Sequence, residues 1–420
     1  MRNHFLSHAG LTLKILFLNN FYYLRGGSEK ILFEEMRILQ EAGHEVEIFT
    51  RRHEKNEPAK YSKFFPPPLD TDRLGFSLKT VQTVGELLYS HAVRRGLREV
   101  IRRFRPDVAH AHNIYGRLSL SVLDELSSAG VPVVMSLHDM KLFCPSYLML
   151  NHGKICERCK GNKFHNAVLT KCHKDSYLAS SVYALETWFN HSFKKYGPVK
   201  YFIAPSMFLR NKAVEFGWDQ RKIAHIPNFI DMQTRAASEA AGDYCLYLGR
   251  LSREKGVKTL LTALKDLQVK AELIVAGDGP DRDALRKIAL NGALPATFTG
   301  YLNGAEVKKT IAGAKVVIMP SEWYENAPLS LLEAFAWGKP VIGARIGGIP
   351  EMIDDGVNGY LFESGNAEDL RMKLEMFLSL PGERVMEMGM AARGKVAREF
   401  SAGSHYKRLM QIYREALGEA

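Results

Sequence analysis

Short apolar runs alternate with helical patterns along this chain, which restricts it to an α/β fold. In the first half, the apolar runs are Lys14–Asn20, Glu45–Thr50, Val108–His112 and Val131–Leu137. A glycine-containing loop, Arg25–Glu29, follows the first run and precedes a helical pattern through Ile31, Leu32, Met36 and Leu39. Apolar strands separated by helices are typical of a parallel sheet with helices on both faces. We therefore predict a doubly wound, Rossmann-like domain for residues 1–230.

The same alternation restarts near residue 240. The apolar runs of this second half are Tyr244–Gly249, Ala271–Gly277, Thr297–Gly300, Val316–Met319 and Pro340–Gly343. A chain of 420 residues also exceeds what one hydrophobic core usually holds. We predict a second Rossmann-like domain over residues 231–401, which faces the first across a cleft. The hinge is predicted at Ile226–Asp231, and a helix within residues 402–420 is predicted to close the N-terminal domain.

Two sequences that mimic cofactor sites are discounted. Neither half contains a complete Gly-x-Gly-x-x-Gly after a strand, and Gly277–Pro280 breaks this spacing, which disfavours a nicotinamide cofactor. Asp70 and Asp72 mimic a metal-binding Asp-x-Asp motif. They lie in the irregular segment 54–80, far along the chain from the other candidate residues, so we interpret the motif as a chance match.

The net charge of +11 belongs to the N-terminal part of the chain. Residues 1–230 hold 33 Lys and Arg against 21 Asp and Glu, and subtracting these from the totals of 57 and 46 leaves 24 against 25. The excess is greatest in His91–Arg105, where arginines surround an apolar stripe at helical spacing. Such a helix is either a solvated face or a contact with anionic lipid. Nucleic acid is disfavoured because no aromatic-interleaved basic strand accompanies the arginines.

The chain shows no segment of membrane-spanning or secretory type. Its apolar runs are shorter than the roughly 18 residues of a spanning helix. Residues 1–13 lack the long apolar core and cleavage signal of a leader peptide. We predict a cytoplasmic protein whose membrane contact, if any, is peripheral.

Two carboxylates, Glu325 and Glu333, lie eight residues apart on either side of the start of an apolar helix. The strand Lys315–Pro320 precedes them, and Pro328 suits the first turn of the helix. Glu325 is therefore predicted in a strand-to-helix loop, where it can accept hydrogen bonds from sugar hydroxyls. Glu333, within the helix, can accept them from the vicinal diol of a ribose. Taken alone, such a pair is more often a surface feature than a site.

A basic glycine loop, Gly249–Gly256, directly follows a predicted strand. Arg250 offers a planar fork and Lys255 a point charge, so the two can neutralise a diphosphate without a metal. By itself, such a loop is as often a surface turn as a phosphate site. The acidic pair about 70 residues downstream favours a site for a nucleotide sugar.

These features occur together in the retaining glycosyltransferases of family 4, which this chain resembles over nearly its whole length. The motifs that carry the resemblance are Arg25–Glu29, Pro106–Asn113, Ser136–Asp139, Ala204–Ser206, Ile226–Asn228, Gly249–Gly256, Gly277–Pro280, Glu325 with Glu333, and Asp355–Gly359. Each motif is weak alone, but their order is specific. The resemblance implies the GT-B fold, with an acceptor-binding domain at 1–230 and a donor-binding domain at 231–401.

The resemblance also implies roles for individual residues. Arg250 and Lys255 would hold the donor diphosphate, Glu333 the ribose, and Glu325 the sugar hydroxyls. The donor-binding residues that it implies are Gly26, Gly27, Gly249, Arg250, Lys255, Glu325, Asn326, Leu329 and Glu333. His112 is the side chain of the N-terminal domain expected nearest the reacting sugar. The alternation of side chains along a strand predicts that either His110 or His112 is structural, and His138 and Asp139 are expected to line the cleft.

The implied reaction retains the anomeric configuration without a dedicated covalent nucleophile. The catalytic residues would be His112, Glu325, Arg250 and Lys255, and neither a metal nor another cofactor would be required. The predicted enzyme is a hexosyltransferase that uses a nucleoside diphosphate sugar and a saccharide or polyprenyl-linked acceptor, in envelope or capsular polysaccharide synthesis. One alternative is a sugar-nucleotide epimerase of the same fold. Another is a non-enzymatic basic module that binds membrane or nucleic acid.

Four cysteines form a separate cluster in the sequence. Cys144, Cys156, Cys159 and Cys172 have the spacing C-x11-C-x2-C-x12-C, whereas Cys245 stands alone in a predicted strand. A cytoplasmic chain disfavours stable disulfides, and the segment is polar and loop-like. We predict a structural zinc site in an insertion at 144–172, with reduced or redox-active thiols as the alternative.

Overall fold

The computed structural model describes residues 12–69, 78–232, 242–269 and 271–419. Contacts within the chain divide it into two compact units. Unit 1 consists of Met1–His152, Cys156–Ile226 and His405–Ala420, and unit 2 consists of Gly153–Ile155 and Pro227–Ser404. The Asp-x-Asp motif at 70–72 lies outside the described residues.

Unit 1 contains a six-stranded parallel sheet with helices between its strands. In chain order, the elements before Ile226 are β1 (Lys14–Leu18), α1 (Gly27–Glu41), β2 (Glu45–Phe49), α2 (Leu78–Leu88), α3 (His91–Phe104), β3 (Val108–Ala111), α4 (Ser121–Ser128), β4 (Val133–Ser136), β5 (Leu150–Asn151), β6 (Lys154–Ile155), α5 (His165–Leu169), α6 (Tyr177–Ser192), β7 (Val199–Ala204), α7 (Met207–Glu215) and β8 (Ile223–His225). The sheet order is β2-β1-β3-β4-β7-β8, while β5 and β6 form a separate small hairpin. Every residue of β3 and β4 is buried, as expected for strands covered on both faces.

Serine caps fix where several helices of unit 1 begin. The Ser90 hydroxyl accepts a hydrogen bond from the Val93 N–H at the start of α3, over 3.1 Å. Ser176 and Ser206 cap α6 and α7 in the same way. A serine cap contributes about 1 kcal/mol because it satisfies a helix N–H that has no partner within the helix.

Unit 2 repeats the architecture with its own sheet and core. Its elements are β9 (Tyr244–Leu248), α8 (Val257–Lys265), β10 (Glu272–Ala276), α9 (Arg282–Asn291), β11 (Ala296–Gly300), α10 (Gly304–Gly313), β12 (Ala314–Met319), α11 (Leu329–Ala336), β13 (Val341–Ala344), α12 (Ile349–Met352), β14 (Gly359–Phe362), α13 (Ala367–Leu378) and α14 (Gly382–Glu399). The parallel sheet has the order β11-β10-β9-β12-β13-β14. This is the strand order of a Rossmann fold.

The last helix, α15 (Ala402–Leu417), lies almost wholly in unit 1. It buries His405, Leu409 and Tyr413. The Tyr406 hydroxyl lies 3.0 Å from Nε2 of His44, which follows α1. Unit 1 is therefore built from the two ends of the sequence. In the part of the chain that the structure describes, no helix combines the length and apolarity needed to cross a membrane.

Candidate functional site

In unit 2, the basic loop that follows β9 and the acidic loop that follows β12 lie where the strand order of the sheet reverses. The sheet order changes direction between β9 and β12. The loop Gly249–Lys255 follows β9, and the loop Ser321–Pro328 follows β12. Ligands of open α/β sheets bind outside the carboxyl ends of the strands at such a reversal. Chain topology alone therefore places the two loops at the expected binding position of this unit.

Lys255 and Glu325 form an ion pair at this position. Lys255 Nζ donates to Glu325 Oε1 over 2.6 Å, and the Ser321 hydroxyl donates to the same oxygen over 2.8 Å. The Glu325 side chain is 9% exposed and that of Lys255 is 23% exposed. Lys255 Nζ also lies 4.9 Å from the ring centre of Trp323. The sequence predicted both residues but not this pairing between them.

The pair keeps the Glu325 carboxylate charged. Burial by itself raises the pKa of Glu325, but the charge and hydrogen bond of Lys255, with further hydrogen bonds, lower it below its usual value. The nearby Glu325 carboxylate adds to the effect of burial in raising the pKa of Tyr247, whose hydroxyl donates to the Arg250 carbonyl over 2.7 Å. The result is a fixed negative charge beside a partly exposed ammonium group.

Two glycines, Gly256 after β9 and Gly347 after β13, let the main chain come close to the residues that follow β12. Gly256 has φ +69°, and a Cβ there would lie 1.7 Å from the Pro320 carbonyl oxygen. Gly347 has φ +60°, and a Cβ there would lie 2.2 Å from the Glu325 carbonyl oxygen. That oxygen accepts the Gly348 N–H over 2.8 Å. Only glycine fits such positions, so the loop after β12 is approached closely by the main chain after β9 at Gly256 and after β13 at Gly347, in addition to the ion pair.

The other predicted donor residues of unit 2 lie on the same two loops and on α11. Arg250 is exposed on the loop after β9. Asn326, Leu329 and Glu333 are half-buried, with Leu329 the first residue of α11 and Glu333 within it. Pro328 is the cap residue just before the helix and not a residue of its first turn, so the prediction was off by one position. The Asn228 amide donates to the Ala327 carbonyl over 3.0 Å and fixes the loop that enters α11.

In unit 1 the strand order reverses between β1 and β3. The predicted glycines follow β1: Gly26 caps α1 with φ −170°, and Gly27 is its first residue. Both are exposed, and no protein side chain caps this helix end. The first N–H groups of a helix attract anions. A phosphate at Gly26 and Gly27 stays a prediction, and the extended backbone of Gly26 does not itself require glycine.

The two histidines of β3 and its end are both buried. His110 Nδ1 lies 2.8 Å from the Tyr413 hydroxyl, and its Nε2 lies 2.9 Å from the Ser136 hydroxyl. Burial lowers the pKa of His110 well below its usual value, with the neighbouring His112 acting in the same direction. His110 is thus a neutral histidine with a partner for each ring nitrogen. It fits the structural histidine that the sequence led us to expect.

His112 links a buried carboxylate to His138. Its Nδ1 lies 2.8 Å from His138 Nε2, and its Nε2 lies 3.2 Å from Glu35 Oε2. His405 Nε2 donates to the other Glu35 oxygen over 2.9 Å. His112 is 1% exposed, whereas His138 is half-buried. Of the two, His138 is therefore the more accessible in unit 1, and His112 lies behind it.

Burial and the neighbouring side chains together shift the pKa values of the groups in this network. Burial raises the pKa of Glu35, but the surrounding His110, His112 and His405 lower it well below its usual value. Burial and the neighbouring His112 lower the pKa of His138 to about 3. At neutral pH, Glu35 is therefore a carboxylate, and His110 and His138 are neutral imidazoles. Asp139 differs, since burial raises its pKa to about 6 against the opposing effect of Lys141.

Glu35, His405 and Tyr413 were missed in the sequence. A signal for Glu35 was present: α1 buries Ile31, Leu32, Met36 and Leu39, and position 35 falls on the same face at helical spacing. A charged residue at a core position indicates a buried polar network. No comparable signal exists for His405 and Tyr413, because their partners are more than 300 residues away in sequence.

The four clustered cysteines line one cavity of about 20 Å³ in unit 1. Burial, with the neighbouring sulfurs, raises the pKa of Cys159 to about 12 and that of Cys172 to about 11. Reactive cysteines need a lowered thiol pKa. Cys245 lies buried in β9, in the core of unit 2.

The matches to family models cover both units. Residues 25–234 match the model described as glycosyltransferase family 4, and residues 233–395 match glycosyl transferases group 1. The first match spans half of the chain. The chain belongs to glycosyltransferase family 4, a family of transferase enzymes, and this confirms the family predicted from the sequence.

Individual relatives are distant. Sulfoquinovosyl transferase SQD2 of Arabidopsis thaliana is 29% identical over 289 residues, which are 66% of this chain and 51% of that protein. Amylovoran biosynthesis glycosyltransferase AmsK of Erwinia amylovora is 30% identical over 177 residues, 40% of this chain and 43% of that protein. The chain thus spans about half the length of the curated relatives it matches.

A solved structure confirms the fold. HepE of Anabaena, crystallised with UDP, aligns over 97% of this chain and 100% of its own, with a TM-score of 0.64 and 18% identity. The likeness, together with the two parallel sheets, establishes the two-domain GT-B fold predicted from the sequence.

Proposed function

We propose that this chain transfers a hexose from a nucleoside diphosphate sugar to a saccharide or polyprenyl-linked acceptor, with retention of the anomeric configuration. The observation that carries the proposal is the Lys255–Glu325 pair at the strand reversal of unit 2. A fixed carboxylate can orient sugar hydroxyls, and the adjacent ammonium group can stabilise the leaving diphosphate. Family membership supports the reaction class.

The proposed step requires no covalent intermediate. The bond between the anomeric carbon and the diphosphate oxygen breaks, and Arg250 and Lys255 stabilise the charge on the departing diphosphate. The acceptor hydroxyl attacks from the same face, and its proton passes to the leaving phosphate oxygen. Glu325 orients the sugar, Glu333 binds the ribose, and Gly26 and Gly27 let the helix end of α1 approach a phosphate. Unit 1 is proposed to bind the acceptor, with His138 and Asp139 as candidate contacts and with His112, which lies behind His138, as the side chain that orients the His138 ring.

Names of similar proteins support parts of this proposal. HepE was crystallised with UDP, and AmsK is named for amylovoran biosynthesis. We propose that this chain likewise uses a nucleotide sugar and acts in envelope or capsular polysaccharide synthesis at the inner face of the cytoplasmic membrane. The pairing of Lys255, from Gly-Arg-x4-Lys, with Glu325, from Glu-x7-Glu, favours the transferase over an epimerase of the same fold.

The reaction is tested by incubating the purified protein with a panel of nucleotide sugars. We expect one donor to raise the melting temperature and to be hydrolysed slowly without an acceptor. With saccharide acceptors, we expect a product whose new bond has the same anomeric configuration as the donor. Release of an epimerised nucleotide sugar would replace the transferase proposal with the epimerase. Failure of every donor to bind would contradict both.

The predicted basic helix, α3, is less free to bind lipid than its sequence suggests. Arg94 and Arg98 are paired with the buried Glu125 at 2.9 and 2.7 Å. Arg102 and Arg103 are paired with Glu99. Much of the positive charge therefore serves contacts within unit 1.

A neighbouring helix, α6, offers a better membrane contact. It exposes Trp188 by 51% and, just after its end, Phe193 by 60%. Lys194, which directly follows Phe193, is exposed, whereas Lys195 and Arg94 lie over the ring of Tyr89 and are paired with Asp124 and Glu125. Aromatic residues beside cations suit the interface of an anionic bilayer. We propose that this surface makes the peripheral membrane contact.

Removal of the two aromatic side chains tests the membrane contact. The double variant W188S/F193S should bind vesicles of mixed neutral and anionic lipid at least tenfold more weakly in flotation, because only about half of each side chain is exposed and burial of the pair in lipid contributes about 1.5–3 kcal/mol in total. The double variant M386S/M390S, which removes two exposed apolar residues of α14, serves as the matched control. Equal flotation of the aromatic variant and the parent protein would contradict the proposal.

A further inference from the structure

The four-cysteine segment begins at the end of β4, close to His138. Cys144 closes a turn with Met140, whose carbonyl accepts its N–H over 2.8 Å. Cys156 and Cys159 follow the hairpin of β5 and β6, and Cys172 follows α5. Three separate stretches of chain thus bring their cysteines to the same place. The segment as a whole connects β4 to α6.

All four sulfur-bearing residues line the same small cavity. Its volume of about 20 Å³ holds roughly one water-sized particle. A space of that size accommodates a single metal ion. The other lining side chains include Phe143, Met149 and Phe216, so the site is shielded by apolar groups. Four cysteine sulfurs around a space of this size are the ligand set of a structural zinc site.

In the described part of the chain, no three of these cysteines have their sulfurs all within 4.8 Å of one another. Among the described residues, the group whose ligand atoms lie within 4.8 Å of one another is Glu35, His110 and His112. His110 uses both ring nitrogens for Tyr413 and Ser136, so we do not interpret that group as a metal site. Closure of the cysteines on zinc requires them to move inward, and the cavity between them provides the space.

Residues 141–146 and Met149 are buried, but the stretch 150–172 has little else to hold it in place, since only Phe164 and Ala167 are buried there. Its buried apolar cluster consists of Phe164, Ala167 and Ala184, the last of which belongs to α6. Salt bridges of Lys160 with Glu215 and of Lys212 with Glu157 attach it to α7. These are partly exposed pairs, which contribute little to stability. A core of three residues is too small to fix an irregular segment, and metal ligation commonly supplies what such segments lack.

We propose that Cys144, Cys156, Cys159 and Cys172 bind one zinc ion and that the ion fixes the loop after β4. This loop carries His138 and Asp139, and Cys144 follows Asp139 by five residues. The His191 ring also holds the loop, with Nε2 lying 2.9 Å from the Leu142 carbonyl oxygen. The zinc ion would tie the loop to α5 and, through α5, to α6. This role does not depend on the proposed glycosyl transfer.

Metal analysis of the full chain tests the proposal directly. Protein purified without chelator should contain about one zinc per chain and no iron by mass spectrometry. Cobalt(II), exchanged into the site, should give the absorption of a tetrathiolate complex. C156S should reduce the zinc content at least tenfold, and C245S, which changes the buried cysteine of unit 2, should retain it. Cobalt exchange into the parent protein gives the answer even if C156S fails to fold.

The structural role is tested by limited proteolysis of the same samples. Zinc removal by a chelator should expose the segment 140–176 to cleavage, and added zinc should restore protection. Chelation should leave unit 2 resistant. A zinc content below about 0.1 ion per chain would overturn the proposed site. Free titration of the four thiols in folded protein would overturn it as well. Full zinc content without any change in cleavage would overturn the role in fixing the loop.

Discussion

Replacement of Glu325 by glutamine should lower kcat by about 100-fold, because the variant loses the charge that orients the donor sugar. The amide keeps the shape of the side chain and can still accept the Ser321 hydroxyl. The substitution removes the carboxylate that pairs with Lys255 at 2.6 Å. Lys255 then remains available for the diphosphate. Affinity for the nucleoside diphosphate, measured by calorimetry, should therefore stay within about threefold of the parent value or increase.

Two matched variants separate the roles of the acids near this site. E333Q should weaken nucleotide binding about tenfold, as expected for the loss of a charged hydrogen bond to a ribose, with a smaller effect on kcat. E322Q changes a carboxylate on the same loop, which accepts the Thr259 hydroxyl. It should leave kcat within about threefold. Equal loss of nucleotide binding in E325Q and E333Q would refute the separation of roles.

Replacement of Glu35 by alanine should destabilise unit 1 by about 3–5 kcal/mol, the usual effect of breaking a buried charged network. Glu35 is 2% exposed and has His405 at 2.9 Å and His112 at 3.2 Å. The change leaves buried imidazoles without their acceptor. The adjacent E34A is the matched control, since Glu34 is partly exposed and paired with Arg37. Its effect in urea unfolding should be about 0.5 kcal/mol or less.

The same network should make unit 1 sensitive to acid. His110 and His138 have folded pKa values below the unfolded value near 6.5, so the unfolded chain binds more protons and stability falls as the pH drops below about 6.5. The lowered pKa of Glu35 adds a further loss below about pH 4.5. Asp139 acts in the opposite sense between about pH 6 and 4, because its folded pKa is raised.

Two pH windows therefore isolate the two kinds of group. Between pH 7 and 6, unfolding free energy should fall less in H138N than in the parent protein. Between pH 4.5 and 3, it should fall less in E35Q. A parent protein whose stability is constant from pH 7 to 3 would show that these groups do not have the protonation states assigned to them.

Most strands of the two sheets could be predicted because apolar runs mark them directly. The prediction missed Val199–Ala204, Ile223–His225 and Gly359–Phe362. The first is an apolar run that deserved assignment as a strand. The second has only three residues, and the third follows a glycine-containing turn that suggested a loop. Each lies toward the far end of a sheet and away from the strand reversals. The omissions therefore left the candidate site unaffected.

Sequence motifs indicated candidate residues for the donor site, but they could not predict which of these residues contact each other. Lys255 and Glu325 are 70 residues apart, and only the adjacency of β9 and β12 brings them together. Spacing along a chain carries no information on which strands are neighbours after a reversal of order. The arginines of α3 show the same limit, because their pairing with Glu125 depends on the packing of α3 against α4.

The helix α15 has a consequence for biosynthesis. On a ribosome, residues of unit 1 emerge first, yet the partners of Glu35 and His110 on this helix, His405 and Tyr413, emerge after all of unit 2. Unit 2 can complete its core while unit 1 still lacks a layer. The usual order of folding from the N-terminus is therefore reversed in its last step. A nascent chain stalled before residue 405 would present an unfinished first unit to chaperones and proteases.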